Sequence, residues 1–255
     1  MATEFVDMTY EGGVATLRLN RPPLNVMNIE MVEQVNDLLL GLRGNRQLKV
    51  LVIRGNDNAF SAGIDLKEHT RDKVSRLVQM FHRIFESMRL LDVIAVSAVQ
   101  GVALGAGFEL AIGSHLVVAT ESARFGVPEV KLGLFPPVAS VILPRATPRR
   151  KAMEWILTGD EIPAQELVQY GLVNRLIPDD DFDAGLTEFV AKLTSKSGPV
   201  LQLAKRAQTE SYYSGWEEAL HKAENLYLRD LMALADAEEG LAAFLDKREP
   251  EWQDR

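Results

Sequence analysis

The fold is decided by the stretch Ser97-Ala98-Val99-Gln100-Gly101-Val102-Ala103-Leu104-Gly105-Ala106-Gly107-Phe108-Glu109-Leu110-Ala111. It continues an apolar run that begins at residue 93 and is rich in Val and Ala, which predicts a strand buried on both faces. Three glycines follow, and the apolar residues beyond them have helical spacing. Glycine permits close approach of a ligand to the backbone, and a helix N-terminus offers free N–H groups. The stretch therefore predicts a binding site where a buried strand meets a helix.

Strands and helices alternate on either side of this stretch. The patterns predict a hairpin over 4–9 and 13–20, a helix from N-cap Asn28 to Gly44, a strand over 48–53, a helix over 71–91, a strand over 115–119, helices starting at Thr147-Pro148 and at Pro163, and helices over 199–212, 215–235 and 236–247. Such alternation is typical of crossover units on a mostly parallel sheet. We expect an α/β body followed by a helical C-terminal third.

Composition excludes several classes of protein. The chain has 255 residues, 47% of them hydrophobic and 25% charged, as in ordinary globular proteins. No long apolar run predicts a membrane span, and the N-terminus does not resemble a signal peptide, so we expect a cytoplasmic location without membrane partners. A net charge of −8 argues against a general nucleic-acid binder. The absence of cysteine excludes disulfides and thiolate catalysis, and the four histidines lack metal-type spacing.

Two carboxylates in apolar surroundings are the candidate acid–base residues. Glu109 lies within the apolar helix, and Glu129 follows Gly126 and Pro128, which fix a turn. Taken singly, each is better explained as a capping or salt-bridged residue. If they face one dry cavity together, burial and mutual repulsion would raise at least one pKa towards neutrality, and the pair could divide the roles of acid and base.

Two backbone N–H groups are the candidate oxyanion donors. We expect one from Ala62, in the loop after the strand over 48–53, and one from Ala106, at the start of the central helix. Two N–H groups aimed at one carbonyl oxygen would stabilise an enolate. The glycine spacing does not fit the dinucleotide fingerprint, and no Gly-x-Ser-x-Gly elbow is present.

A basic segment closes the last predicted helix. Lys247 could meet a ligand phosphate, with Phe244 against a flat ring. From spacing alone, the favoured interpretation is a cation placed well at a helix C-terminus.

The ordered set of motifs resembles the crotonase (enoyl-CoA hydratase/isomerase) superfamily over nearly the whole chain. The motifs are Asn20-Arg21-Pro22 with Asn25, Phe60 to Leu66, Gln100 to Ala111, Ala123 to Glu129, Leu132-Gly133, Ala164 to Val173, and Phe244 to Arg248. The resemblance implies a spiral of ββα units as a catalytic core over 1–195, and a helical C-terminal region over 196–255 that forms trimers or hexamers.

The resemblance also implies an acyl-CoA thioester substrate and no cofactor or metal, since CoA is part of the substrate. The thioester oxygen would lie between Ala62 and Ala106, and Glu109 and Glu129 would handle the water and the proton. Contacts with the substrate are implied for Gly63, Ile64, Asp65, Leu66, Gly105, Phe135, Phe244 and Lys247, the last two often reaching a neighbouring subunit's ligand.

Several departures point to a narrower resemblance. The glycine triplet is Gly-Ala-Gly, Ser114-His115 replaces the usual Cys-Asp, and Leu134 to Ser140 replaces a Gly-rich stretch that borders the acyl pocket. The pattern over 135–140, with 226–232 and 239–241, resembles the cyclohexa-1,5-diene-1-carbonyl-CoA hydratases of anaerobic benzoate degradation. Those enzymes form 6-hydroxycyclohex-1-ene-1-carbonyl-CoA.

Four alternatives remain at the level of the sequence. The chain could hydrate linear enoyl-CoA, or act as an isomerase or a ring-opening hydrolase of the same superfamily. It could also bind acyl-CoA without catalysis, although the presence of both glutamates argues against that role.

Overall fold

The computed structural model describes residues 3–56, 58–212 and 214–255. Its strands are β1 (Val6–Glu11), β2 (Val14–Leu19), β3 (Val50–Arg54), β4 (Ala59–Ser61), β5 (Ile94–Val99), β6 (Val102–Leu104), β7 (Leu116–Thr120), β8 (Arg124–Gly126), β9 (Ile162–Pro163) and β10 (Arg175–Ile177). Its α-helices are α1 (Ile29–Gly41), α2 (Val74–Leu90), α3 (Ala106–Ile112), α4 (Ala139–Ala146), α5 (Arg149–Thr158), α6 (Ala164–Gln169), α7 (Phe182–Thr194), α8 (Gly198–Ser211), α9 (Trp216–Asn225) and α10 (Ala235–Asp246).

The larger sheet has six strands in the order β1-β2-β3-β5-β7-β10. All neighbours are parallel except β1 and β2, which form the predicted antiparallel hairpin around Gly12 and Gly13. The central strands are buried on both faces: in β3, Leu51 and Ile53 join one core cluster, while Val50 and Val52 join the cluster that packs against α7. Continuous apolar runs in these strands follow from that double burial.

A second sheet of four short strands has the order β4-β6-β8-β9. Successive units place one strand in the large sheet, the next in the small sheet, and then a helix, as in β3-β4-α2 and β5-β6-α3. The predicted α/β fold of ββα units is therefore confirmed. Periodicity alone did not predict the small sheet, because strands of two or three residues are too short to show alternation.

The predicted helices are present with shifts of a few residues at their ends. Asn28 caps α1 by accepting a hydrogen bond from the N–H of Met31, as its position predicts. The helix predicted over 215–235 is shorter: α9 ends at Asn225 and runs directly into a π-helical turn over Leu226–Leu231, and α10 begins at Ala235. The main-chain N–H of Met232 closes that turn by donating to the carbonyl of Tyr227 at 3.1 Å.

The C-terminal helices are bonded directly to the core. The carboxylate of Asp254 accepts from the N–H of Gly198 at 2.7 Å and pairs with Lys49 at 2.9 Å. The ammonium group of Lys205 donates to the carbonyls of Leu91 and Val93, next to β5. These bonds fix α8 and the chain end against the large sheet. Within the described residues, no helix is both long and apolar enough to cross a bilayer.

Helix α3 contacts β4 at a glycine. A Cβ atom at Gly107 would lie 2.1 Å from the carbonyl oxygen of Ser61, so alanine there would force the helix away from the strand. We expect Gly107→Ala to lower the free energy of unfolding by about 3 kcal/mol, measured by urea denaturation. Gly41, at the end of α1, has no atom within 4 Å of its would-be Cβ and serves as the matched control. Gly41→Ala should be neutral or stabilising by up to about 1 kcal/mol; equal effects at the two sites would contradict the packing argument.

Candidate active site

The loop after β4 is held from behind by Asn25. This side chain is fully buried, donates to the carbonyls of Ala59 and Phe60 at 2.9 and 3.1 Å, and accepts from the N–H of Arg21 at 2.9 Å. The hydroxyl of Ser61 in turn donates to the carbonyl of Asn25 at 2.8 Å. Because these bonds are internal to the protein, the loop is fixed before any ligand binds.

The prediction that Ala62 supplies an oxyanion donor is wrong. Its N–H donates to the carbonyl of Leu24 at 2.9 Å, so that group is already used. The next free backbone donor is that of Ile64. The N–H of Met27 donates to the carbonyl of Gly63, and the carbonyl of Met27 accepts from the N–H of Asp65. These two bonds form a parallel bridge in which the N–H of Ile64 points away from Met27. Among the residues that the structure describes, none accepts a hydrogen bond from the Ile64 N–H.

The start of α3 lies close to this loop. Gly63 has a φ of +100°, and a Cβ there would be 3.6 Å from the nitrogen of Ala106. Ala106 is the first residue of α3, so its N–H has no partner within the helix. The N–H groups of Ile64 and Ala106 are thus the two donors that the fold offers next to each other. The sequence identified Ala106, while the Met27 bridge that selects Ile64 is a tertiary contact.

The Gly-Ala-Gly triplet fits the packing around α3. A Cβ at Gly105 would lie 2.6 Å from Oε1 of Glu129, and one at Gly107 would strike Ser61. Only the two outer positions must therefore be glycine, and Ala106 leaves its N–H unobstructed. The contact at Gly105 also places the Glu129 carboxyl group beside the helix N-terminus.

Glu109 projects from α3 and is only 2% exposed. Its Oε1 accepts hydrogen bonds from the N–H groups of Val138 and Ala139, at 2.8 and 2.9 Å, where α4 begins. Together the surroundings raise the pKa of Glu109 from 4.5 to about 7: burial is the main cause and the charge of Glu129 adds to it, while the two N–H bonds oppose the rise. The carboxyl group is thereby poised to gain or lose a proton near neutral pH.

Glu129 lies on the short 3₁₀ turn Pro128–Leu132. Burial raises the pKa of its carboxyl group as well. Its Oε2 is buried and has no hydrogen-bond partner among the described residues. With two such carboxyl groups in one apolar environment, acid and base roles can be divided between them.

One cavity of about 410 Å³ collects most of the predicted site residues. Those that line it are Ala62, Gly63, Ile64, Leu66, Gly105, Ala106, Glu109, Glu129 and Phe135. Three predicted substrate contacts do not line it. Asp65 instead pairs with Arg21 at 3.0 Å and accepts from the N–H of Lys67. Phe244 is 82% exposed on α10, and Lys247 ends that helix.

Leu134 and Pro137 also line the cavity, as expected for the segment 134–140. The sequence analysis did not single out the remaining lining residues, which are His69, Leu77, Val78, Phe81, His82, Pro128, Leu132 and Gly133. The helical spacing of the lining residues on α2 is that of any packed face, so it does not mark them as site residues. No sequence signal connects the two histidines to the glutamates. The described residues contain no cluster of side chains that could hold a metal ion.

The comparisons with known proteins agree with this geometry. The protein-family model described as enoyl-CoA hydratase/isomerase matches residues 9–255. The probable enoyl-CoA hydratase of Rhizobium meliloti is 34% identical, with both chains covered completely. Among solved structures, the enoyl-CoA hydratase of Mycobacterium smegmatis superposes with a TM-score of 0.93 at 29% identity, covering 98% of this chain and 99% of that one. Human enoyl-CoA hydratase domain-containing protein 3 gives a TM-score of 0.93 at 30% identity, covering 97% and 99%.

The burial of Glu109 predicts a pH-dependent loss of stability. The pKa of Glu109 is raised from 4.5 to about 7. The stabilisation linked to this shift is therefore fully present below pH 4.5 and is lost as the pH rises through about 7. Glu109→Gln removes this ionisation, and its stability relative to the wild type should rise by about 3 kcal/mol between pH 4.5 and 8. Urea denaturation across this range measures the difference.

The matched control is Glu188→Gln. Glu188 is exposed on α7, and its hydrogen bond from Lys192 lowers its pKa, so this variant should show no such gain at high pH. A pH-independent difference for Glu109→Gln would show that its carboxyl group has an ordinary pKa.

Proposed function

Because this chain belongs to the enoyl-CoA hydratase/isomerase family, we propose that it adds water to a conjugated acyl-CoA thioester, namely cyclohexa-1,5-diene-1-carbonyl-CoA. The product would be 6-hydroxycyclohex-1-ene-1-carbonyl-CoA, an intermediate of anaerobic aromatic degradation. One observation carries the proposal: two carboxyl groups with raised pKa values line the same cavity as two free backbone donors.

The backbone donors would stabilise the charge that forms on the thioester. Addition of water to the β-carbon moves an electron pair onto the thioester oxygen, giving an enolate. We assign the oxyanion-binding role to the N–H groups of Ile64 and Ala106, since Ala62 is engaged by Leu24. The partial positive charge at the start of α3 supports the same oxygen.

The two glutamates would move the protons. The ionised carboxyl group takes a proton from water while the oxygen of that water bonds to the β-carbon. The protonated carboxyl group gives its proton to a carbon atom of the enolate. With a conjugated diene, the negative charge of the dienolate extends to the far end, and the proton is delivered there. The raised pKa values allow one proton to be shared by the pair near neutral pH.

The wall formed by residues 132–137 supports a cyclic acyl group. Leu132, Leu134, Phe135 and Pro137 line the cavity, and this segment leads into the N–H groups that hold Glu109. A flat ring would gain apolar contact against this wall next to the catalytic carboxyl group. The same segment carries the narrower sequence resemblance.

We propose that a second copy of this chain completes the binding site for the CoA portion of the substrate. Phe244 and Lys247 do not line the cavity of their own chain, and Phe244 is exposed. A trimer or hexamer would allow α10 of one subunit to reach the ligand of another. No cofactor beyond the substrate's own CoA is needed, because addition of water is neither an oxidation nor a reduction.

Removing either carboxyl group should slow the reaction without abolishing binding. We expect Glu109→Gln and Glu129→Gln each to lower kcat by about 10²–10⁴-fold, the usual contribution of an acid or base. The CoA thioester should still bind within a few-fold, by calorimetry. Glu188 does not line the cavity, so Glu188→Gln is the control and should keep full activity. Wild-type rates in both site variants would refute the assignment.

The acyl specificity is tested with a panel of thioesters in ¹⁸O-labelled water. We expect turnover of the cyclic diene with one labelled oxygen in the product, detected by mass spectrometry, and slower turnover of crotonyl-CoA. Fast hydration of crotonyl-CoA with no reaction of the cyclic diene would instead assign the chain to linear substrates. Tight binding of every thioester without turnover would identify a non-catalytic binder.

A further inference from the structure

His69 lines the acyl cavity and has one accessible and one buried ring nitrogen. It lines the cavity with both glutamates, yet its Nδ1 is buried and has no hydrogen-bond partner among the described residues. Nε2 also makes no hydrogen bond to any described residue, but it is not buried. It is therefore the accessible nitrogen.

This difference selects the tautomer of the neutral ring. A proton on Nδ1 would be a buried N–H donor without an acceptor, which is among the least tolerated arrangements in proteins. With the proton on Nε2, the accessible nitrogen becomes a hydrogen-bond donor, and Nδ1 keeps only a lone pair. His69 is therefore a donor wherever Nε2 meets a ligand.

The position of His69 is fixed by the loop that carries Ile64. Asp65 caps the turn Leu66–Glu68, and the N–H of His69 donates to the carbonyl of Leu66 at 3.2 Å at its end. Asp65 is itself held by Arg21. The backbone of His69 therefore has a defined position relative to the proposed oxyanion donors.

The surrounding wall is mostly apolar. Besides the two glutamates, the described cavity side chains that can form hydrogen bonds are His69 and His82, against a lining that includes Leu66, Leu77, Phe81 and Leu134. In such a pocket, one placed donor discriminates strongly between ligands that have an acceptor and ligands that lack one.

We propose that His69 is a specificity-determining residue whose Nε2–H donates a hydrogen bond to the hydroxyl oxygen of a hydroxyacyl-CoA. This inference rests on the proposed function, because hydration creates such a hydroxyl on the acyl group. His69 would then favour binding of the hydrated thioester over its unhydroxylated counterpart, without taking part in proton transfer.

The test measures binding in the Glu109→Gln/Glu129→Gln background, where turnover is suppressed. Two probes are compared by calorimetry: 6-hydroxycyclohex-1-ene-1-carbonyl-CoA and cyclohex-1-ene-1-carbonyl-CoA. We expect His69→Phe to weaken the hydroxylated probe by roughly tenfold, the effect of one neutral hydrogen bond, and to leave the other within about twofold.

Two replacements separate the nitrogens. His69→Gln places an amide donor near Nε2 and should restore most of the discrimination, whereas His69→Asn places one near Nδ1 and should not. His221→Gln, on an exposed histidine of α9, is the control and should change neither affinity. Thermal melting confirms that each variant is folded.

Each other outcome would overturn the inference. Equal weakening of both probes would mean that His69 only shapes the cavity, and no change in either would mean that Nε2 faces water alone. Rescue by His69→Asn and not by His69→Gln would mean that Nδ1, and not Nε2, is the donor. The outcome is independent of turnover: wild-type protein that discriminates between the probes but does not hydrate the diene would refute the proposed function alone.

Discussion

The close contact between α3 and the loop after β4 is the constraint on which the site depends. Gly107 allows the helix to touch Ser61, and Gly105 allows the Glu129 carboxyl group to approach the helix start. With any larger residue at these places, the helix N-terminus would move away from the loop. The two free backbone donors and the two carboxyl groups would then no longer share a cavity.

The site also has an energetic cost. Burying Glu109 and Glu129 raises both pKa values, which means that the folded protein resists their ionisation. The two N–H groups at the start of α4 offset part of that cost at Glu109. Extensive burial elsewhere, in the two core clusters on either face of the large sheet, provides the stability that tolerates it. At these two glutamates, the unfavourable electrostatics lies where proton transfer would use it.

This chain belongs to the enoyl-CoA hydratase/isomerase family and has the same fold as the solved relatives. Within the proposed site, side chains of the cavity wall would meet the acyl group. Here the wall combines the apolar segment from Leu132 to Pro137 with α2 and with His69. Substrate choice should therefore depend on these side chains, while the backbone donors, which need no particular side chain, serve any thioester.

The sequence by itself determined the α/β alternation, the buried strands and the N-cap at Asn28, and it singled out Glu109, Glu129 and Ala106, which line one cavity. These are encoded locally, by periodicity, by turn residues and by motifs of fixed spacing. Only the tertiary structure decided that Ala62 is engaged by Leu24, that Asp65 is paired with Arg21, that Ile64 has the free N–H, and that His69 joins the cavity. The reason is physical: whether a polar group is free depends on partners that lie dozens of residues away in the chain, and no local pattern records where folding brings them.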